Sequence, residues 1–192
     1  MKRSFVKMAA ILGILMLTGT SSVIAGEEVL TKGAFFPSVK LAVPDDAAHK
    51  KYLGLSGSGK FDIPDIAAHV VIVEIFSMYC PHCQKEAPAV NELYRIIENN
   101  PMARGKVKLI GIGAGNSPFE VDYFRETYAV PFPLFPDKDY AIHDRIGGVR
   151  TPFFYGVAIT KGKPAEIFFT YEGKFETADS FLELILKESG LK

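Results

Sequence analysis

The two cysteines of this 192-residue chain stand three positions apart as Cys80-Pro81-His82-Cys83, directly after the apolar run Val70-Val71-Ile72-Val73-Glu74-Ile75-Phe76. A strand that ends in a short turn and hands its first cysteine to a helix N-terminus sets that sulfur against unpaired backbone N–H groups and the positive end of a helix dipole. Both favour thiolate over thiol. The thiolate is the nucleophile of disulfide exchange, and a second cysteine one helical turn later can close a ring with it. Chain order then assigns the roles: Cys80 attacks, and Cys83, one turn inside, resolves the mixed disulfide.

Other uses of two cysteines fit less well. A bridge over a three-residue step closes almost no loop and removes little entropy from the unfolded chain, so it is a poor structural fastener. Zinc needs about four ligands, and a single Cys-x-x-Cys supplies two, so no metal is expected. Covalent haem attachment requires His after the second cysteine, where this chain has Gln84. No cofactor is required by the pattern.

The neighbours of the dithiol carry further chemistry. His82, between the cysteines, can favour the Cys80 thiolate through a positive or hydrogen-bonding imidazole, or be a solvent-exposed turn residue. Pro81 belongs with it as a tuning position. Glu74 is a carboxyl in an otherwise apolar strand. Buried without a charged partner it would hold its proton tightly, as a relay for Cys83; at an edge it would meet water or a lysine. Glu86 follows Cys83 by three positions, which makes the two side chains neighbours on a helix.

The elements that must position these groups can be traced along the chain. Lys2, Arg3 and Lys7, an apolar stretch from Met8 to Leu17, and Val23-Ile24-Ala25 before Gly26 have the form of an export signal over residues 1–25. Ten apolar residues are too few for a spanning helix, so cleavage is expected, with an uncleaved anchor as the alternative. The whole chain is formally neutral, and loss of the signal leaves a charge of −3 with no dense basic run, which gives nucleic-acid binding no support. Residues 26–60 read as an N-terminal extension of short strands and turns, and residues 61–192 as one domain. Gly54 to Lys60 nearly spells a phosphate loop, but Phe61 stands where Ser or Thr should be, so it reads as a turn.

Val70 to Phe76 has the continuous apolarity of a central strand. A helix follows from Cys83 to Asn99, with Pro88 as an expected kink, then a strand from Val107 to Ile112. Ser117-Pro118-Phe119-Glu120 is a capping box opening a helix to about Tyr128. The prolines from Val130 to Pro136 argue against a long helix, and a short one is expected over 139–146. A strand from Thr151 to Ile159, a hairpin partner over Ile167 to Tyr171, and a last amphipathic helix starting at Thr177 or Ser180 and stopping at Gly190 complete the chain.

With these elements in place, the chain from about Phe61 onward resembles the thioredoxin superfamily, and within it the exported TlpA/ResA-like redoxins. The residues that carry the likeness are the Val70–Phe76 strand, Tyr79-Cys80-Pro81-His82-Cys83-Gln84-Lys85-Glu86-Ala87-Pro88, and the later Thr151-Pro152. The resemblance implies an α/β, thioredoxin-like fold: a central mixed β-sheet flanked by helices. It implies a cis peptide at Thr151-Pro152 opposite the dithiol, presenting the Thr151 backbone to an extended substrate, with Tyr79 beside it where the family usually has Trp. It also matches Glu74 and Glu86 to acidic positions of the family.

By the same resemblance the protein would exchange a Cys80-Cys83 disulfide or dithiol with cysteines of exported proteins, outside the cytoplasm. It would act as a reductase fed by a membrane redox donor. The dipeptide Pro81-His82 is the one associated with the oxidising DsbA proteins, so a disulfide-forming oxidase coupled to an acceptor is an alternative. A thiol peroxidase is another, since Ser77 precedes Cys80 by three residues where peroxiredoxins carry a hydroxyl. The non-enzymatic alternative is a peptide-binding or chaperone module.

Overall fold

The structure is a computed structural model that describes residues 28–191; the expected export signal lies outside the described residues. In chain order it comprises β1 (Leu41–Ala42), α1 (Ala47–Leu53), β2 (Lys60–Phe61), β3 (Val70–Phe76) and α2 (Pro81–Asn99). Then follow β4 (Val107–Ala114), α3 (Pro118–Thr127), β5 (Leu134–Asp137), α4 (Ala141–Arg145), β6 (Phe153–Ala158), β7 (Glu166–Glu172) and α5 (Ala178–Ser189).

Five strands form the main sheet in the order β5-β4-β3-β6-β7. β3 runs parallel to β4, and β4 to β5, while β6 is antiparallel to both β3 and β7. All seven residues of β3 are buried, because helices cover one face and the N-terminal segment the other. The strand's alternation sorts its side chains: Ile72 and Phe76 pack with Leu93 and Ile97 of α2 and with Phe181 and Ile185 of α5. Val71, Val73 and Ile75 pack on the opposite face with Phe36, Leu53 and Ile63. Glu74 has the parity of Ile72 and Phe76, so the strand register alone directs its carboxyl under α2.

The N-terminal segment is more than the short strands and turns expected of it. β1 and β2 do pair, Leu41 with Phe61, but between them lies α1, started by Asp46, whose carboxylate accepts from the His49 N–H at 2.7 Å, and stopped by Gly54 in the left-handed region. Both cap signals stand in the sequence; the helix was missed because seven residues give too little periodicity to register. The Tyr52 hydroxyl on α1 accepts the Leu109 N–H at 2.8 Å, satisfying a β4 backbone group beyond the β5 pairing. Upstream, Gly33 N–H donates to Ile167 O and Ile167 N–H to Ala34 O, so the segment also covers the β7 edge.

Two other boundaries depart from expectation. The proline-rich stretch contains β5, with Leu134 paired to Gly111 and Pro136 to Gly113. As an edge strand it can spare the Pro136 N–H, which is why prolines do not forbid it. Helix α2 begins at Pro81 rather than Cys83 and continues through Pro88 to Asn99. Proline at the first helical position has no N–H to leave unsatisfied, which makes Cys80 itself the N-cap. α3 has the expected capping box, with Ser117 and Glu120 bonding reciprocally, and α5 is capped by Thr177 and ends at Gly190.

Candidate functional site

β3 ends at Phe76, and the loop Ser77–Tyr79 delivers Cys80 to the N-cap of α2. The Cys80 N–H donates to Ser77 O at 3.1 Å, which closes the turn. The sulfur of Cys80 is half-buried, while Cys83, one turn further, is completely buried. Burial alone would push the Cys80 thiol up. The side chain of Thr151, the backbone and side chain of Cys83 and the backbone N–H of His82 outweigh it and hold the thiol below its ordinary range. In the protonated state the thiol donates to the Thr151 carbonyl at 3.2 Å, a contact that favours the proton and must loosen on ionisation. The part of His82 that favours the anion is thus its amide, as expected of an N-terminal turn. Its exposed side chain faces a groove beside the dithiol.

Cys83 is shifted the other way. Burial pushes its thiol up, the Ser77 N–H offsets part of this, and the neighbouring Glu74 carboxyl raises it again. Glu74 is 3% exposed. Burial, reinforced by the charge of Glu86, pushes its pKa up to about 8, so the group is mostly protonated at neutral pH. Of the two environments weighed for Glu74, the protein has the buried one.

Glu86 is 5% exposed, and its Oε1 accepts the N–H of Phe175 at 3.2 Å, just past the Gly173-Lys174 turn. Burial raises its pKa, and the Phe175 N–H and Lys174 lower it in part. Cys83, Glu74 and Glu86 therefore form a buried acidic series beneath the more exposed Cys80. At neutral pH it can carry fewer negative charges than it has titratable groups, because each charge opposes the next.

The peptide bond between Thr151 and Pro152 is cis, and Thr151 meets the Cys80 sulfur through its carbonyl. Thr151 and Pro152 form one wall of a groove of about 310 Å³ whose other wall includes His82 and Glu86. Tyr79 lies on the other side of Cys80, 64% exposed, its hydroxyl donating to Glu120.

Three residues outside the motif hold this loop. Asn116, completely buried, accepts the Met78 N–H on Oδ1 at 2.8 Å and donates from Nδ2 to the Ser77 hydroxyl at 3.4 Å. Gln84 donates to Met78 O at 2.7 Å from the other side. Glu120 accepts from Tyr79 while capping α3. Asn116 follows Gly111, Gly113 and Gly115, of which Gly111 and Gly113 lie within β4. A Cβ on Gly113 would come within 3.0 Å of Asn116 Oδ1 and of Val121, so the glycine makes room for the asparagine. An asparagine just after an apolar strand was the available signal; its burial and its partner 38 residues earlier were not visible in the sequence.

A dithiol at the start of α2, a mixed five-stranded sheet with β6 antiparallel to β3, and a cis-proline loop against the first sulfur define a thioredoxin-fold redox protein. The family model for AhpC/TSA matches residues 39–177, and the chain belongs to the AhpC/TSA family. Among curated relatives, the thiol-disulfide oxidoreductase ResA of Bacillus thuringiensis (strain Al Hakam) is 28% identical over 110 residues, covering 57% of this chain and 60% of that protein. ResA of Bacillus subtilis (strain 168) is 23% identical over 146 residues, covering 74% of this chain and 72% of that protein. Among solved structures, the thioredoxin domain of a thiol-disulfide oxidoreductase from Bacteroides vulgatus superposes with a TM-score of 0.59 at 13% identity, over 81% of this chain and 99% of that one. The last comparison supports the fold.

Proposed function

We propose that the protein is a thiol-disulfide oxidoreductase that exchanges its Cys80-Cys83 pair with cysteines of exported proteins. The observation that carries this reading is the opposite tuning of the two sulfurs: Cys80 half-buried with its anion favoured, Cys83 buried with its proton held. The Cys80 thiolate attacks one sulfur of a substrate disulfide, and the other substrate sulfur leaves and takes up a proton. Cys83 then gives up its proton, with the Glu74 carboxylate as acceptor in its ionised fraction, and attacks the Cys80 sulfur. The remaining substrate sulfur departs as a thiol, two electrons have passed to the substrate, and the protein holds a Cys80-Cys83 disulfide. The Thr151 backbone lies where an extended substrate segment would align beside the nucleophile, with Pro152 contributing no N–H to compete.

The direction we propose is reduction of the substrate. Strong oxidants of this kind owe their potential to a heavily stabilised thiolate in the reduced form. Here the Cys80 anion is favoured by the Thr151 side chain and by amide and thiol groups of Cys83 and His82 rather than by the His82 imidazole, and its protonated form has a carbonyl partner at 3.2 Å. The likeness to relatives named thiol-disulfide oxidoreductase supports the exchange chemistry itself. We further propose that residues 1–25 direct export and that residues 61–192 form the exchange domain on which residues 26–60 are laid. A membrane electron donor would return the dithiol. No helix among the described residues is long and apolar enough to cross a membrane.

A redox titration of the Cys80/Cys83 pair in the purified protein tests the direction. A potential near the thioredoxin value of about −270 mV agrees with reduction, and one near about −120 mV assigns oxidation instead.

The family match gives thiol peroxidase chemistry a second hearing. Against it, the Ser77 hydroxyl is engaged by Asn116, and a resolving cysteine one turn away suits exchange better than sulfenic-acid chemistry. Loss of thiols on adding peroxide at a rate far above that of a free thiol would restore it.

A further inference from the structure

The groove beside Thr151 has a charge that the chain as a whole does not. The full sequence is formally neutral, yet Lys85, Arg150 and Lys174 all line this one groove, each with an exposed side chain. None of the three forms an ion pair within 4.0 Å; among the described residues the ion-paired cations are elsewhere, at Lys32, Lys40, Arg95, Lys108, Arg125 and His143. Two carboxyls also line it. Glu86 is buried, accepts the Phe175 N–H and lies within electrostatic reach of Lys174, which leaves Glu172 as the exposed carboxylate among the groove's lining, against the exposed Lys85, Arg150 and Lys174. The α2 N-terminus at Cys80 adds its positive end to the same region.

The groove is also joined to the chemistry. Its wall includes Thr151, whose carbonyl touches the Cys80 sulfur, and Arg150 precedes Thr151 directly in the chain. A substrate cysteine reaching Cys80 therefore brings its neighbouring residues past Arg150 and Lys85. An arginine free of internal partners presents a fork that pairs two carboxylate oxygens at once, and a lysine on the facing helix adds a second charge.

We propose that this groove is a specificity site: the protein prefers substrate segments that carry Asp or Glu within a few residues of the reacting cysteine, with Arg150 and Lys85 as the residues that read them. This rests on the exchange reading above and names the substrate class of that same site.

The test uses the reduced full-length protein and three synthetic peptides with one cysteine each, blocked as a mixed disulfide with thionitrobenzoate. The residues flanking the cysteine are Glu in the first peptide, Gln in the second and Lys in the third. Release of the coloured thiol reports attack by Cys80, and each rate is divided by the rate of dithiothreitol with the same peptide to remove the peptide's own reactivity. Two partly exposed ion pairs predict an acidic peptide about three- to tenfold faster than the neutral one, and a neutral one faster than the basic one. The advantage shrinks as salt is raised. In the Lys85→Glu/Arg150→Glu protein the order inverts, which a general loss of stability cannot produce; both positions are exposed, and the melting temperature confirms folding. Equal normalised rates for the three peptides, or an order unchanged by the double charge reversal, overturn the charge preference while exchange itself stands. Failure of all three peptides to react with the folded protein rejects the exchange reading, and this proposal with it.

Discussion

The thiol of Cys80 donates to the backbone carbonyl of Thr151 at 3.2 Å, across 71 positions of sequence. This contact joins the two halves of the site, the start of α2 and the loop before β6, and makes the sulfur's protonation sensitive to what occupies the Thr151 backbone. Nearby amides and the Thr151 side chain favour the anion and prevail over burial.

Alkylation should report that balance. The rate of iodoacetamide labelling of Cys80 is expected to rise with pH through a midpoint below the ordinary thiol value of about 8.5, while Cys83 in the folded dithiol stays unlabelled. Mass spectrometry of the labelled peptide separates the sulfurs. A Cys80 midpoint at or above 8.5 would contradict the assignment. In Cys83→Ser protein the exchange reaction should halt at the mixed disulfide.

Glu74 predicts how stability depends on pH. Its folded pKa is about 8 against about 4.3 in an unfolded chain, so the folded state holds the proton longer. The stabilisation is fully present below pH 4.3 and is lost as pH rises through 8. Between pH 5 and 8 the wild type should lose up to about 4 kcal/mol relative to Glu74→Gln, a buried amide that does not titrate. Denaturant titrations at several pH values measure the gap. A constant difference across that window sinks the assignment.

Glu86 acts through two separable effects, one structural and one electrostatic. Glu86→Ala leaves the buried Phe175 N–H without its acceptor and should cost about 1–3 kcal/mol. Glu86→Gln keeps an acceptor but removes the charge that helps to raise Glu74. In that variant the infrared or NMR titration of the Glu74 carboxyl should move below 8. A titration that does not move would show the two carboxyls to be uncoupled.

Asn116 should matter to the site although it touches neither sulfur. Asn116→Ala strips the Met78 N–H of its buried acceptor and frees the Ser77 hydroxyl, costing about 1–3 kcal/mol. Because the Ser77 backbone meets both cysteines, through the turn at Cys80 and the N–H toward Cys83, the pH midpoint of Cys80 alkylation should shift as well. Lost stability with an unchanged midpoint would reduce Asn116 to a fold-holding residue.

Much of this protein can be read from local pattern, because local pattern has local causes. Two cysteines a helical turn apart after an apolar strand, the Ser117–Glu120 box and the Thr177 and Gly190 helix ends all act within a few residues, and each appears in the structure. The single carboxyl in β3 announced itself as the one break in an apolar run, and strand parity placed it. What stayed hidden was whatever depends on partners far along the chain. α1 and β5 are too short to show a period and exist because the sheet offers them pairing and packing, through Tyr52 on Leu109 and Leu134 beside Gly111. Glu86 gained its role from an amide 89 residues away, and Asn116 from one 38 residues away.

The chain by itself determined the reactive group: which sulfur lies at the helix start, which lies behind it, and that a carboxyl shares their strand–helix unit. Only the tertiary structure decided their protonation and their reach, because burial, the Thr151 carbonyl and the mutual repulsion of Glu74 and Glu86 arise when distant segments close around the site. It also gathered Lys85, Arg150 and Lys174, unremarkable in a neutral sequence, along a groove walled by Thr151, whose carbonyl meets the sulfur.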